Sequence, residues 1–275
     1  MKFSSAFLAL GVLALSGAGT ALKIGAFNIQ TFGRSKMSKP EVVEILLTIA
    51  ERYDILLIQG IRDSTETAIY DFLNQLNGRD GNNYTLLLSP RMGRSSYKEQ
   101  YGYLYRNDKP NVVEDYHYSD PGDIFHREPF VVRFQSGTTS VQDFVLIPLH
   151  ADPQDAVAEI NRLYNVYLDA VDRWGINDVI ILGDLNADCS YVKSADWSNI
   201  RIWTDKRFEW LIGNEADTTV KDSSDCAYDR LVIAGSQLQA SVVNYGVFNY
   251  KEEYDLSQDE TEAVSDHYPV EMTIA

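Results

Sequence analysis

The strongest constraint on this chain is a succession of short, β-rich segments, each bounded by polar or turn residues. Nine segments are predicted as strands: 22–29, 54–59, 84–89, 101–106, 130–134, 143–150, 178–185, 229–235 and 267–274. Two stretches switch to a helical period. In "SKPEVVEILLTIAERY", Ser38 is the expected N-cap and Pro40 lies in the first turn, with Val42, Ile45, Leu46 and Ile49 on one face. The longer "DPQDAVAEINRLYNVYLDAVDRWG" opens on acids and Pro153 and stops at Gly175. Strands mixed with amphipathic helices imply a layered α/β or α+β domain. Neither a Pro/Gly/Ser-rich linker nor a repeat is apparent, so residues 22–275 are expected to form one domain.

The strand ends carry the chemistry. The first strand reaches Asn28, the sixth His150, and the seventh runs into Asp184 and Asn186 in "GDLNAD". Asp229 lies in "CAYDR", and "SDHYP" supplies Asp266 and His267 at the entry to the last strand. Singly, each of these is an ordinary turn former or a hydrogen-bonded histidine. If they meet at one edge, they form a cleft of hard oxygen donors and imidazoles. Carboxylate and amide oxygens suit Mg²⁺ or Ca²⁺ better than zinc. A histidine pair can share general-base and general-acid work, and with a hard cation it fits in-line displacement at phosphorus. The G-x-S-x-G elbow of a serine hydrolase is missing from the sequence.

Residues 1–21 have the layout of a secretory signal peptide: a lysine near the start, an apolar run from Ala6 to Leu15, and small residues at Gly19 and Ala21. A retained anchor is the alternative, although the run is short for a membrane span. In an oxidising compartment Cys189 and Cys226, the only cysteines, would form one disulfide; two buried thiols are the other reading. Asn83 begins the sequon "NYT", a candidate glycosylation site. The net charge of −16 gives no global attraction for nucleic acid, so a polyanion would have to be gripped by local arginines and bound cations.

The stretches "KIGAFNIQTFG", "GRSSYKEQY", "REPFVVRF", "GDLNADCSYV", "SADWSNIR", "ADTTV", "CAYDRLVIAGS" and "SDHYPVEMT" closely resemble the secreted deoxyribonuclease I family, in the family's order and over the whole of residues 22–275. The resemblance implies a four-layer α/β/β/α sandwich, two packed central β-sheets flanked by helices, cutting double-stranded DNA as a monomer with Mg²⁺ and Ca²⁺. It pairs His150 with Glu99 and His267 with Asp229, and sets Asn28, Asp184, Asn186 and Asp266 around metal and phosphate. Adjacent strand residues point to opposite faces, so Asp266 is not expected to partner His267. The resemblance gives DNA contacts to Arg62, Arg94, Tyr97 and Arg127, and structural calcium to Asp120, Asp123, Glu128 and Asp217. The family often has arginine at Gln30. Actin binding, associated in some members with the strand containing Leu86 to Leu88, is not carried over.

One departure stands out. In "DILLIQGIRD" the family has a metal-binding glutamate where this chain has Gly60. Gln59 is expected on the opposite face of the strand and Asp63 three residues on. Two readings follow: an attenuated endonuclease, or an inactive relative that binds DNA or another partner.

Overall fold

The computed structural model describes residues 21–275; the expected signal peptide lies almost entirely outside these residues. The strands are β1 (Leu22–Phe32), β2 (Ile55–Ile61), β3 (Tyr84–Leu88), β4 (Gln100–Arg106), β5 (Pro110–His117) and β6 (Phe130–Ser136). They continue with β7 (Asp143–Pro148), β8 (Val179–Asp184), β9 (Phe208–Trp210), β10 (Asp229–Ala234), β11 (Val242–Val247) and β12 (Val270–Ile274). Two six-stranded sheets result, ordered β11-β12-β1-β2-β4-β3 and β5-β6-β7-β8-β10-β9.

Alternation along the strands builds four layers, because successive side chains face opposite sides of a sheet. Ile24 and Ala26 of β1, with Ile55 and Leu57 of β2, pack against Leu146, Ile180, Leu182 and Leu231 of the other sheet. The opposite parity, Phe27, Ile29, Leu56 and Ile58, faces the Pro40–Ala50 and Thr67–Asn77 helices. In the second sheet Val145, Ile147, Val179 and Ile181 face the Ala156–Trp174 helix. This is the expected α/β/β/α sandwich.

Some expectations need correction. The Pro40–Ala50 helix is preceded by extended Lys39, not capped by Ser38; Ser38 instead closes the short Arg34–Met37 helix, its hydroxyl donating to Ser35 O. The long helix begins at Ala156 and does stop at Gly175, which adopts the left-handed conformation at φ 69°. The strand expected over 143–150 stops at Pro148, and the last strand starts at Val270 instead of 267. Cys189 and Cys226 are joined in a disulfide.

Where β1 and β2 run together, Asn28 pairs with Gln59 and Phe32 with Ile61, so three residues of β1 bulge opposite Gly60 alone. Bulges re-aim side chains next to functional clefts. Here Gln30, Thr31 and Gly60 all reach one cleft.

Candidate active site

That cleft, of about 280 Å³, is lined by Asn28, Gln30, Gly60, Glu99, His150, Asp184, Asn186, Asp266 and His267, with Tyr97, Tyr191 and Tyr228 at its sides. All eight expected catalytic and metal-binding positions belong to this region, because Asp229 lies directly behind His267. Asp184 closes β8 and Asp229 opens β10, where the two are antiparallel partners.

His267 Nδ1 is 2.7 Å from Asp229 Oδ2, and Asp229 is fully buried. Burial opposes charge on the imidazole, but the carboxylates of Asp229, Asp184 and Asp266 outweigh it and push its pKa up to about 10. Across the cleft, His150 Nδ1 lies 2.8 Å from Glu99 Oε2, at an angle that completes no directional hydrogen bond. Burial opposes charge on Glu99 too, yet His150 and Arg127 hold it down at about 2. The outer nitrogens of both rings converge on one atom: Nε2 of His150 is 3.5 Å, and Nε2 of His267 3.6 Å, from Asp184 Oδ2. That same oxygen accepts a 2.9 Å hydrogen bond from Asn28 Nδ2.

The supports of these groups were not assigned that role from the sequence. Gln59, fully buried, donates from Nε2 to Leu149 O (2.7 Å) and accepts from Asp184 N (2.9 Å), tying β2 to β8 and to the residue before His150. Gly183 is needed for this crossing: with φ 121°, a Cβ there would stand 2.5 Å from Gln59 Nε2 and Leu149 O. His150 N donates to Tyr101 OH (2.9 Å) and its carbonyl accepts from Arg127 Nε (3.0 Å). Ser265 Oγ donates to Asn28 O (2.6 Å). Gln59 carried a sequence signal as an amide inside an apolar run, and Arg127 was expected on DNA; Tyr101, Gly183 and Ser265 carried none.

Asp266 lies in the cleft as expected, and Asp229, not Asp266, bonds His267 Nδ1, but the alternation argument for this does not apply. Residues 266 and 267 precede β12, so strict alternation does not separate them; Asp266 Oδ1 is 3.7 Å from His267 Nε2, and both line the cleft. Asp266 Oδ2 accepts from Gln30 Nε2 (2.7 Å). Asn28 Oδ1 and Asp266 Oδ1 are buried without a hydrogen-bond partner. Orphaned acceptors among acids fit a hard cation. Gly60 contributes only backbone, with φ 74°; a Cβ built there would stand 2.8 Å from both Asn28 Oδ1 and Ile29 O. Asp63 does not substitute for it, since its carboxylate is occupied by Thr65 N, Thr67 Oγ1 and Ala68 N at the start of the Thr67–Asn77 helix. Those bonds hold it well below the usual carboxylate range.

Two recesses flank the cleft. One of about 450 Å³ shares Tyr97, Glu99, His150 and Pro153 with it and includes Arg94 and Arg127; the other, of about 360 Å³, shares Thr31 and includes Arg62. The Arg62 guanidinium lies 3.3 Å over the half-exposed Tyr97 ring. Arg127, expected on DNA, is buried and spends its donors on the carbonyls of His150 and Ala151. Of the two expected calcium locations, the Asp120 loop does not gather its three acids. Asp120 accepts from Phe125 N and lies 3.7 Å from Arg162, Asp123 pairs with Arg94, and Glu128 lies 3.6 Å from His117. Asp217 accepts from Thr219 and Cys226 N. Asn83 is exposed.

Residues 25–267 match the Endonuclease/Exonuclease/phosphatase family. The chain is 49% identical over 273 residues to Deoxyribonuclease-1 of Bos taurus, with 96% of each chain covered. It is 48% identical to Deoxyribonuclease-1 of Homo sapiens over 281 residues, covering 100% of this chain and 99% of that one. Deoxyribonuclease-1-like 2 of Mus musculus is 47% identical, with 98% and 96% covered. Among solved structures, humanized D. rerio TDP2 superposes with a TM-score of 0.64 at 13% identity, covering 93% of this chain and 99% of that one, a likeness of fold alone.

Proposed function

Since the chain belongs to the endonuclease/exonuclease/phosphatase family and, within it, to the deoxyribonuclease I family, we propose that it is a secreted, divalent-cation-dependent endonuclease that hydrolyses phosphodiester bonds of double-stranded DNA, attenuated by the glycine at position 60. One observation carries this reading: two carboxylate-backed imidazoles present their outer nitrogens to a single oxygen, that of Asp184, at 3.5 and 3.6 Å. A phosphodiester entering between the rings meets a proton acceptor on one side and a proton donor on the other. Glu99 and Asp229 orient the rings and stabilise the imidazolium form. Asn28, Asp184, Asn186 and Asp266 are the residues that would hold Mg²⁺, and the ion when bound offsets the charge of the phosphate. Arg62 and Tyr97 would enter the minor groove, where width and deformability are read in place of base identity. Calcium binding at the Asp120 loop would require Asp123 and Glu128 to leave Arg94 and His117.

Plasmid nicking in Mg²⁺ and Ca²⁺ tests the reading. His150→Ala and His267→Ala are each expected to lower nicking by about 10²–10⁴-fold; activity surviving both substitutions would overturn the assignment. Gly60 favours a second reading, a DNA-binding module without catalysis. Duplex affinity with no nicking at high Mg²⁺ would establish it.

A further inference from the structure

We propose that His126, Asp152 and Asp155 form a second metal site, on the groove wall beside the catalytic cleft, that takes a borderline divalent cation of the Zn²⁺ class. The three side chains offer one donor atom each, all within 4.8 Å of one another. His126 Nδ1 is 3.3 Å from Asp152 Oδ2. Two ligands on one tetrahedral ion with bonds of about 2.0–2.1 Å are separated by about 3.3–3.4 Å. An imidazole with two carboxylates selects a first-row transition ion over Mg²⁺ or Ca²⁺. All three side chains remain open to solvent, at 24%, 26% and 49% exposure, so an ion can enter.

At its other nitrogen the His126 ring faces two neighbours of opposite demand. Its Nε2 lies 2.8 Å from Asp155 Oδ2, an acceptor, and 3.0 Å from Arg94 Nη1, a donor. A protonated Nε2 opposes Arg94, and an unprotonated one opposes Asp155, so neither ring form satisfies both neighbours. The backbone is set independently of any ion: Glu159 Oε1 accepts from His126 N (3.3 Å) and Asp152 N (3.2 Å), fixing the two segments that bring the ligands together.

His126 and Asp152 line the 450 Å³ recess next to His150. Without an added cation, this wall presents two carboxylates to any polyanion in the groove, while Arg94 is paired with Asp123. A bound dication would cancel the charge of the two carboxylates and remove that repulsion. This last consequence rests on the DNA reading; metal binding does not.

The test is titration of the full chain with Co²⁺ alone, read by its visible absorption. His126→Asn and Asp155→Asn, both small polar changes, are expected to weaken one Co²⁺ site by more than about tenfold, while Asp184→Asn in the catalytic cleft leaves that site intact. Identical titrations for the chain and both rim variants, or loss of the signal only in Asp184→Asn, would reduce the triad to a cluster of ion pairs. Zn²⁺ is further expected to tighten binding of a fluorescent duplex to the chain but not to His126→Asn. Equal effects on both would overturn the link to DNA.

Discussion

Placing at position 60 the glutamate that the family resemblance implies separates two effects of similar size that read out in different assays. Gly60 has φ 74°, and a Cβ added there would meet Asn28 Oδ1 and Ile29 O, each at 2.8 Å. The amide can rotate away, but the backbone carbonyl cannot, so the bulge itself must shift. A side chain in a sparsely populated backbone region costs about 1–3 kcal/mol. In a domain of this size each kcal/mol lowers Tm by about 2–4 °C, so Gly60→Ala, Gly60→Gln and Gly60→Glu should all melt roughly 2–12 °C below the parent. Only Gly60→Glu adds a carboxylate beside Asp184 and Asp266. Losing even an indirect support of a metal costs about 10–100-fold in affinity or activity, and a direct ligand more. The Mg²⁺ concentration for half-maximal nicking should therefore fall by at least about tenfold in Gly60→Glu and stay unchanged in Gly60→Gln. If the two variants melt alike and share one Mg²⁺ midpoint, the missing-ligand account is wrong.

Other substitutions probe the supports. Gln59→Leu leaves Leu149 O and Asp184 N unpaired in the core, at about 1–3 kcal/mol each; a variant as stable and active as the parent would show that the bridge is dispensable. Burial pushes the fully buried Glu159 up to about 8. Between its unfolded value near 4.5 and about 8, the unfolded state loses this proton while the folded state keeps it, so stability falls as pH rises across that window. Glu159→Gln should abolish this loss, a gain of a few kcal/mol at pH about 8 and none at about 4.5; parallel urea midpoints at both pH values would contradict it. Replacing Cys189 and Cys226 by serine opens a 37-residue loop and should cost about 3–4 kcal/mol in the chain-entropy model, read as a lower denaturation midpoint. An unshifted midpoint would mean that the bridge adds nothing to stability.

What was legible in the sequence follows the physics of burial. The nine expected strands all exist, and the three that escaped notice, β5, β9 and β11, each lie at the edge of a sheet. An edge strand is half solvated and needs no continuous apolar run, as "PNVVEDYH" illustrates with Glu114 and Asp115 among its exposed residues. The Thr67–Asn77 helix was equally hidden, because the carboxylate serving its first turn, Asp63, lies outside the segment itself.

Residue types and their order along the chain were enough to determine the family, the layered fold and the set of acids, amides and histidines at strand ends. Tertiary structure decided what those residues touch. It set Asp266 within 3.7 Å of His267, turned Arg127 onto the carbonyls of His150 and Ala151, scattered the acids of the Asp120 loop among basic partners, and set Gly60 in a left-handed bulge that a side chain cannot enter unopposed. The reason is one of range. Periodicity and composition act over a few residues, whereas the Gln59 bridge, the Glu99–His150 approach and the gathering of His126 with Asp152 depend on sheets packing across gaps of 26 to 125 residues.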